Sequence, residues 1–199
     1  MAGYKALAAV GSSVQTLLRR GIDVVIPPGQ RRPAPILIGT KDLDDLSKPG
    51  AAISYPALAI FCYRLSVDRE TRPAWSAVAE SDGIPRLPLC MHLLITAFDE
   101  TVESELQWLG LAGSLLETTS VLSGSLLDSD GAWRDGETVQ VTPEDMALES
   151  MSEAFQALTA NFRLYLLYQA KVVVLEGLPG PIDGRVATVG ADLRTMAGR

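Results

Sequence analysis

Between Arg86 and Leu122 the chain changes its hydrophobic period. Leu87, Leu89, Met91, Leu93, Ile95 and Ala97 alternate with other residues, which predicts a strand with one face in a core. The intervening Pro88, Cys90, His92, Leu94 and Thr96 are mixed, so the second face is expected to be partly covered. Beyond Asp99, Val102, Leu106, Leu109, Leu116 and Val121 recur at roughly helical spacing and predict a buried stripe. Asp99 is placed to cap that helix, and Glu100, Glu103 and Glu105 suit its positive end. The rest of the chain is expected to pack on this strand and helix.

The same reasoning divides the remainder. Tyr4 to Arg20 is expected to be a helix with Leu7, Val10, Val14 and Leu17 on one face, ended by Gly21. Ile22 to Ile26 is expected to be a short strand. Pro27 to Pro35 carries four prolines with Gln30, Arg31 and Arg32, a stiff exposed segment barred from a central sheet. Ile36 to Ile38 suggests a further strand, and Lys41 to Pro49 a polar stretch closed by a Pro49-Gly50 turn. Leu58 to Val67 alternates cleanly, with Ala59, Phe61, Tyr63 and Leu65 opposite Leu58, Ile60, Cys62, Arg64 and Ser66. Asp68 to Pro85 is expected to be a charged surface loop around Trp75. Ser123 to Gly136, with two Asp-Gly turns flanking Trp133, suggests a hairpin or an ordered loop before a strand at Glu137 to Val141.

Thr142-Pro143-Glu144-Asp145 resembles a helix start, with Leu148, Met151, Phe155 and Leu158 as the buried stripe and Asn161 at the end. Phe162 to Leu175 is expected to be the longest strand. After Glu176 the period is lost, and residues 176–199 are expected to form an extended tail, with a short strand at Arg185 to Val189. The order of elements predicts an α/β fold. It is a single domain, residues 1–175, with a mixed, largely antiparallel sheet flanked by helices.

Composition narrows the class. The 199 residues carry a formal charge of -7 with no offsetting basic stripe, which disfavours a nucleic-acid surface. No apolar run approaches the ~20 residues that cross a bilayer. The first twenty residues are interrupted by Ser12, Ser13 and Gln15 and fit a mature amphipathic helix better than a signal peptide. Cys62 and Cys90 make no disulfide framework and suggest free thiols of a cytoplasmic protein.

Candidate chemistry is sparse. His92 is the only histidine, so any triad or general-base scheme must use it. Cys62, Cys90 and His92 offer three ligands for zinc if their strands pair, but neither cysteine has a CxxC partner. Asp128, Asp130 and Gly131 lack the rest of a calcium loop, and Gly110 to Ser114 lacks the lysine of a phosphate loop. No catalytic residue, cofactor or metal is predicted. Arg31, Arg32, Trp75 and Trp133 in predicted loops, with Arg185 and Arg194 in the tail, are candidate interface residues, because aromatics and arginines concentrate at interfaces. The alternative for each tryptophan is to fold back over the edge of its own core.

Three segments together resemble a family. They are LAIFCYRL (Leu58 to Leu65), RLPLCMHLLITAF with its following helix (Arg86 to Leu122), and the block from Val141 to Leu175 that ends "helix, Phe-Arg-Leu, long strand". This ordered set resembles the cap, or tail-terminator, proteins of contractile injection systems, the phage-tail-like particles. The resemblance implies a tail-terminator-like fold and a structural protein, assembled in the cytoplasm as a hexameric ring on the last tube and sheath layers. The acidic charge and the lack of a long apolar run lead us to expect no nucleic-acid or membrane partner. A terminator of the sheath alone, or an adaptor of the same particle, is the near alternative. A small soluble α/β enzyme or ligand-binding domain is the distant one.

Overall fold

A computed structural model describes residues 2–45, 53–146 and 163–177. The elements run α1 (Ala6–Val25), β1 (Ala34–Ile38), α2 (Thr40–Asp45), β2 (Ala57–Val67), α3 (Arg72–Asp82), β3 (Arg86–Phe98), α4 (Val102–Thr118), β4 (Val121–Ser123), β5 (Thr138–Pro143) and β6 (Tyr165–Glu176). The strands form one sheet in the order β1-β2-β3-β6-β5-β4. Among the named strands the β1–β2 pair is parallel and the β2–β3, β3–β6, β5–β6 and β4–β5 pairs are antiparallel. This is the expected mixed α/β domain, with the proline-rich segment feeding an edge strand where missing amides are tolerated.

The first face of the sheet is the main core. Leu58 and Ile60 of β2, Met91, Leu93 and Ile95 of β3, Val139 and Val141 of β5 and Ala170 of β6 pack there under α1 and α4. From α1 come Ala6, Val10, Val14, Leu18 and Ile22, and from α4 Trp108, Leu109, Ala112 and Leu116. The second face is also closed over most of β3. Ala57, Ala59 and Phe98 form one small apolar cluster and Leu94 and Leu167 another, with Tyr63, Met146 and Tyr165 around it. β3 is therefore buried from Pro88 onward on both faces, beyond the partial cover expected.

Several expectations give way to packing. Gly21 does not end α1, which continues through the predicted Ile22–Ile26 strand to Val25. A Cβ at Gly21 would lie 2.5 Å from the Leu115 side chain, so the glycine lets α1 and α4 approach. In α4 the buried side is Trp108, Leu109, Ala112 and Leu116, while Val102 and Leu106 are more than half exposed. The helix stops at Thr118 and Val121 begins β4. Its cap is Thr101, whose hydroxyl accepts from the Ser104 amide, not Asp99. The stretch from Asp68 to Pro85 is not a loop: Pro73 sits in the first turn of α3 and Gly83, at φ +75°, closes it. Thr142 and Pro143 are strand, and Glu144 donates its amide to the Leu167 carbonyl, so no helix begins there. β3, with 13 residues, is longer than β6, with 12. The rest of the predicted 142–161 helix and of the tail lies outside the described residues.

The loop between β4 and β5 is both hairpin connection and ordered structure. It holds two short 3₁₀ turns, Gly124–Leu126 and Ser129–Gly131, and the second is tied to the N-terminal region: the hydroxyl of Ser13 in α1 accepts from the Asp128 amide, and the Gly131 carbonyl accepts from the Gly3 amide just before α1. Asp128 caps the second turn by accepting from the Asp130 amide. That settles its role as a turn residue.

Candidate functional site

β2 carries a bulge. Cys62 pairs with Leu93, but Arg64 pairs with His92, leaving Tyr63 as the extra residue. The bulge shifts the alternation by one, so Arg64 and Ser66 join the face of His92 and Cys90, not that of Cys62. Cys62 and Cys90 consequently lie on opposite faces and do not converge with His92 on a metal. Among the described residues no group of metal-ligating side chains gathers. Burial, foremost, raises both thiols above their usual pKa, which keeps them as weak nucleophiles and ligands.

What gathers instead is a polar relay across three strands. His92, 5 % exposed, has Nε2 2.7 Å from Ser66 Oγ and Nδ1 2.8 Å from Glu144 Oε2. The Tyr63 hydroxyl donates to the same carboxylate at 3.2 Å. A carboxylate only accepts, so Nδ1 carries a hydrogen; in the neutral imidazole Nε2 then accepts from Ser66. Burial, and next the Glu144 charge, push the Tyr63 phenol well up, so it remains a donor. Glu144 reaches His92 because β5 runs on past Pro143 as extended backbone.

The relay borders a trough on the second face. One end is a hollow of ≈ 610 Å³ lined by Arg64, Ser66, Cys90, Gln169 and Lys171. Lys171 also lines the next hollow, ≈ 410 Å³, whose walls include Trp75 of α3 and Trp133 of the β4–β5 loop. Two of the predicted interface residues, on elements separated by more than fifty positions, thus face one cavity. Each is also anchored. The Arg86 guanidinium lies 5.9 Å from the Trp75 ring, and the Trp133 indole donates to the Asp128 carbonyl at 2.7 Å. A Cβ at Gly131 would come within 2.3 Å of the Trp133 ring, so glycine is required beneath it.

Arg31 and Arg32 are elsewhere and serve their own chain. Arg31 pairs with Asp99 and, at 3.5 Å, with Glu100; Arg32 pairs with Asp23 at 2.6 Å. The Asp99 side chain is 1 % exposed and also accepts from the Trp108 indole and the Glu100 amide. Arg31 therefore clamps the proline-rich segment onto the end of β3. Arg185 and Arg194 lie outside the described residues. The residues missed from the sequence are Ser66 and Glu144. The bulge that turns Ser66 has no sequence signal, and Glu144 was claimed by a plausible helix start.

Three comparisons bear on this fold. The family model described as the Pvc16 N-terminal domain matches residues 9–188. No curated protein matches the chain. Among solved structures, the sheath/tube terminator of the extracellular contractile injection system PVC, in its extended state, is 17% identical with a TM-score of 0.55. The match covers 92% of this chain and 63% of that one. The tube-terminating cap of the anti-feeding prophage is also 17% identical, with a TM-score of 0.56, covering 92% of this chain and 59% of that one. At this identity the likeness is one of fold, and the chain spans about six-tenths of the length of each solved protein.

Proposed function

The chain belongs to the Pvc16 N-terminal domain family, and on that premise we propose that it is a structural cap, or tail terminator, of a contractile injection system. The observation that carries this is the fold shared along 92% of the chain with a sheath/tube terminator and a tube-terminating cap. The proposed role is a closed ring, six-fold by the resemblance, that covers the distal end of the inner tube and contacts the last sheath layer. Closure requires heterologous head-to-tail contacts between copies. The trough between Trp75 and Trp133 is the proposed contact on the described domain, because rigid anchored aromatics bordering a cavity are the usual centres of binding energy. Residues 176–199 are the proposed second contact, reaching to a neighbouring copy or to the tube.

Assembly of the particle without this chain, viewed by electron microscopy, tests the reading. Overlong or open-ended tubes are expected. Tubes of normal length with the sheath properly anchored would overturn it, and normal tubes with unanchored sheath would support the terminator of the sheath alone.

A further inference from the structure

The cap reading makes no use of the relay at Ser66, His92 and Glu144, and the relay does not depend on that reading. Its order is nucleophile, base and orienting carboxylate. Ser66 Oγ lies 2.7 Å from Nε2 of His92, and the opposite ring nitrogen lies 2.8–2.9 Å from both oxygens of Glu144. These are the distances at which a histidine can take a serine proton while a third group fixes its tautomer. Burial and exposure are divided as the chemistry needs. The imidazole is 5 % exposed, whereas Ser66 is half-buried and opens on the ≈ 610 Å³ hollow. A histidine that served only to fill the sheet would need partners, but not one that faces a cavity. Gln169, Lys171, Arg64 and Arg69 supply N–H donors to the wall of the same hollow, beside the carboxylates of Asp68 and Glu70. The Tyr63 hydroxyl, bonded to Glu144, steadies the carboxylate from the other side.

We propose that Ser66 is an activated nucleophile that takes small acyl esters, with His92 as its general base and Glu144 as the positioning residue. Ser66 Oγ forms a bond to the ester carbonyl carbon as its proton passes to His92 Nε2. The carbonyl π pair moves onto oxygen, facing the donors of Gln169, Lys171 and Arg64. Collapse breaks the bond to the leaving oxygen, which takes the proton from His92 and departs as the alcohol. A water then loses a proton to His92, attacks the acyl carbon, and releases the acid as Ser66 regains its proton. No redox partner or metal is required.

The full chain is incubated with a biotinylated fluorophosphonate. Ser66 Oγ displaces fluoride from phosphorus, and the adduct is located by peptide mass spectrometry. One adduct is expected, on the peptide carrying Ser66, and it is lost when the chain is unfolded in urea. His92→Gln is expected to slow labelling about a hundredfold or more, the usual worth of a positioned base. Glu144→Gln, which keeps a carbonyl acceptor for Nδ1, is expected to slow it by less. Absence of a Ser66 adduct in the folded chain overturns the proposal. So does equal labelling before and after unfolding, a comparison that stands even if a variant fails to fold. Labelling of His92→Gln at the wild-type rate overturns it as well.

Discussion

Ile95 and His92 stand three residues apart on β3, 0% and 5% exposed, and face opposite sides of the sheet. Ile95 is buried among aliphatic and aromatic neighbours from α1, α4, β2 and β6, where contact is non-directional and any atom of the right size is nearly as good. His92 is buried by meeting Ser66 and Glu144 at hydrogen-bond distance, where removing one partner strands another. Thr96 on the same face behaves likewise, its hydroxyl donating to the Leu164 carbonyl at 2.8 Å. Equal burial therefore conceals two kinds of stability. The first face resists through volume and the second through complementarity.

The contrast is broken most strongly on the first face. Ile95→Ala leaves a cavity among residues that cannot all move, and is expected to cost about 2–5 kcal/mol in denaturant unfolding. A loss below about 1 kcal/mol would mean that the face repacks freely. On the second face Glu144→Ala deprives His92 Nδ1 and the Tyr63 hydroxyl of their acceptor. About 1–3 kcal/mol is expected from the same measurement, and a neutral result would show that water replaces the carboxylate.

The smallest effect concerns Asp99 and is best read against pH. Burial alone would raise its pKa, but the Trp108 indole, the Glu100 amide and Arg31 together outweigh that and hold the carboxyl below its usual value. The unfolded chain therefore binds this proton more readily than the folded one. The stabilisation from Asp99 is fully present above the ordinary carboxylate range, about pH 4, and is lost as pH falls toward the folded value. Thermal melts taken from pH 7 downward should fall more steeply for the wild type than for Asp99→Asn. Parallel curves would show that the clamp on the proline-rich segment contributes little.

Much of the fold was legible because its signals are local. Alternation from Leu87 to Ala97 marked β3, and the run to Val67 marked β2. Even α3 was written in plain punctuation, Pro73 at its start and Gly83 at its close, though the charged composition of the stretch led toward a loop. Trp75 and Trp133 were legible as candidate contact residues one at a time. Their meeting across Lys171 was not, because it depends on the tertiary fold bringing α3 and the β4–β5 loop to the rim of one hollow. Arg31 was legible as a cation in an extended segment, but the acceptor that occupies it, Asp99, lies 68 positions away.

By itself the sequence determined what periodicity, turn chemistry and composition can carry: an α/β domain, its principal strands, an acidic chain whose charge disfavours a nucleic-acid surface, and the ordered segments by which its family is recognised. The tertiary structure decided the rest through effects with no local signature. Gly21 stays inside α1 and makes room for Leu115 of α4, and the partners along β6 hold Thr142 and Pro143 in a strand. A single extra residue at Tyr63 turns Ser66 toward His92. At Thr142 and Pro143 long-range pairing outweighed a local helix-start preference worth about 1 kcal/mol, so neighbours in space, and not neighbours in sequence, set the outcome there.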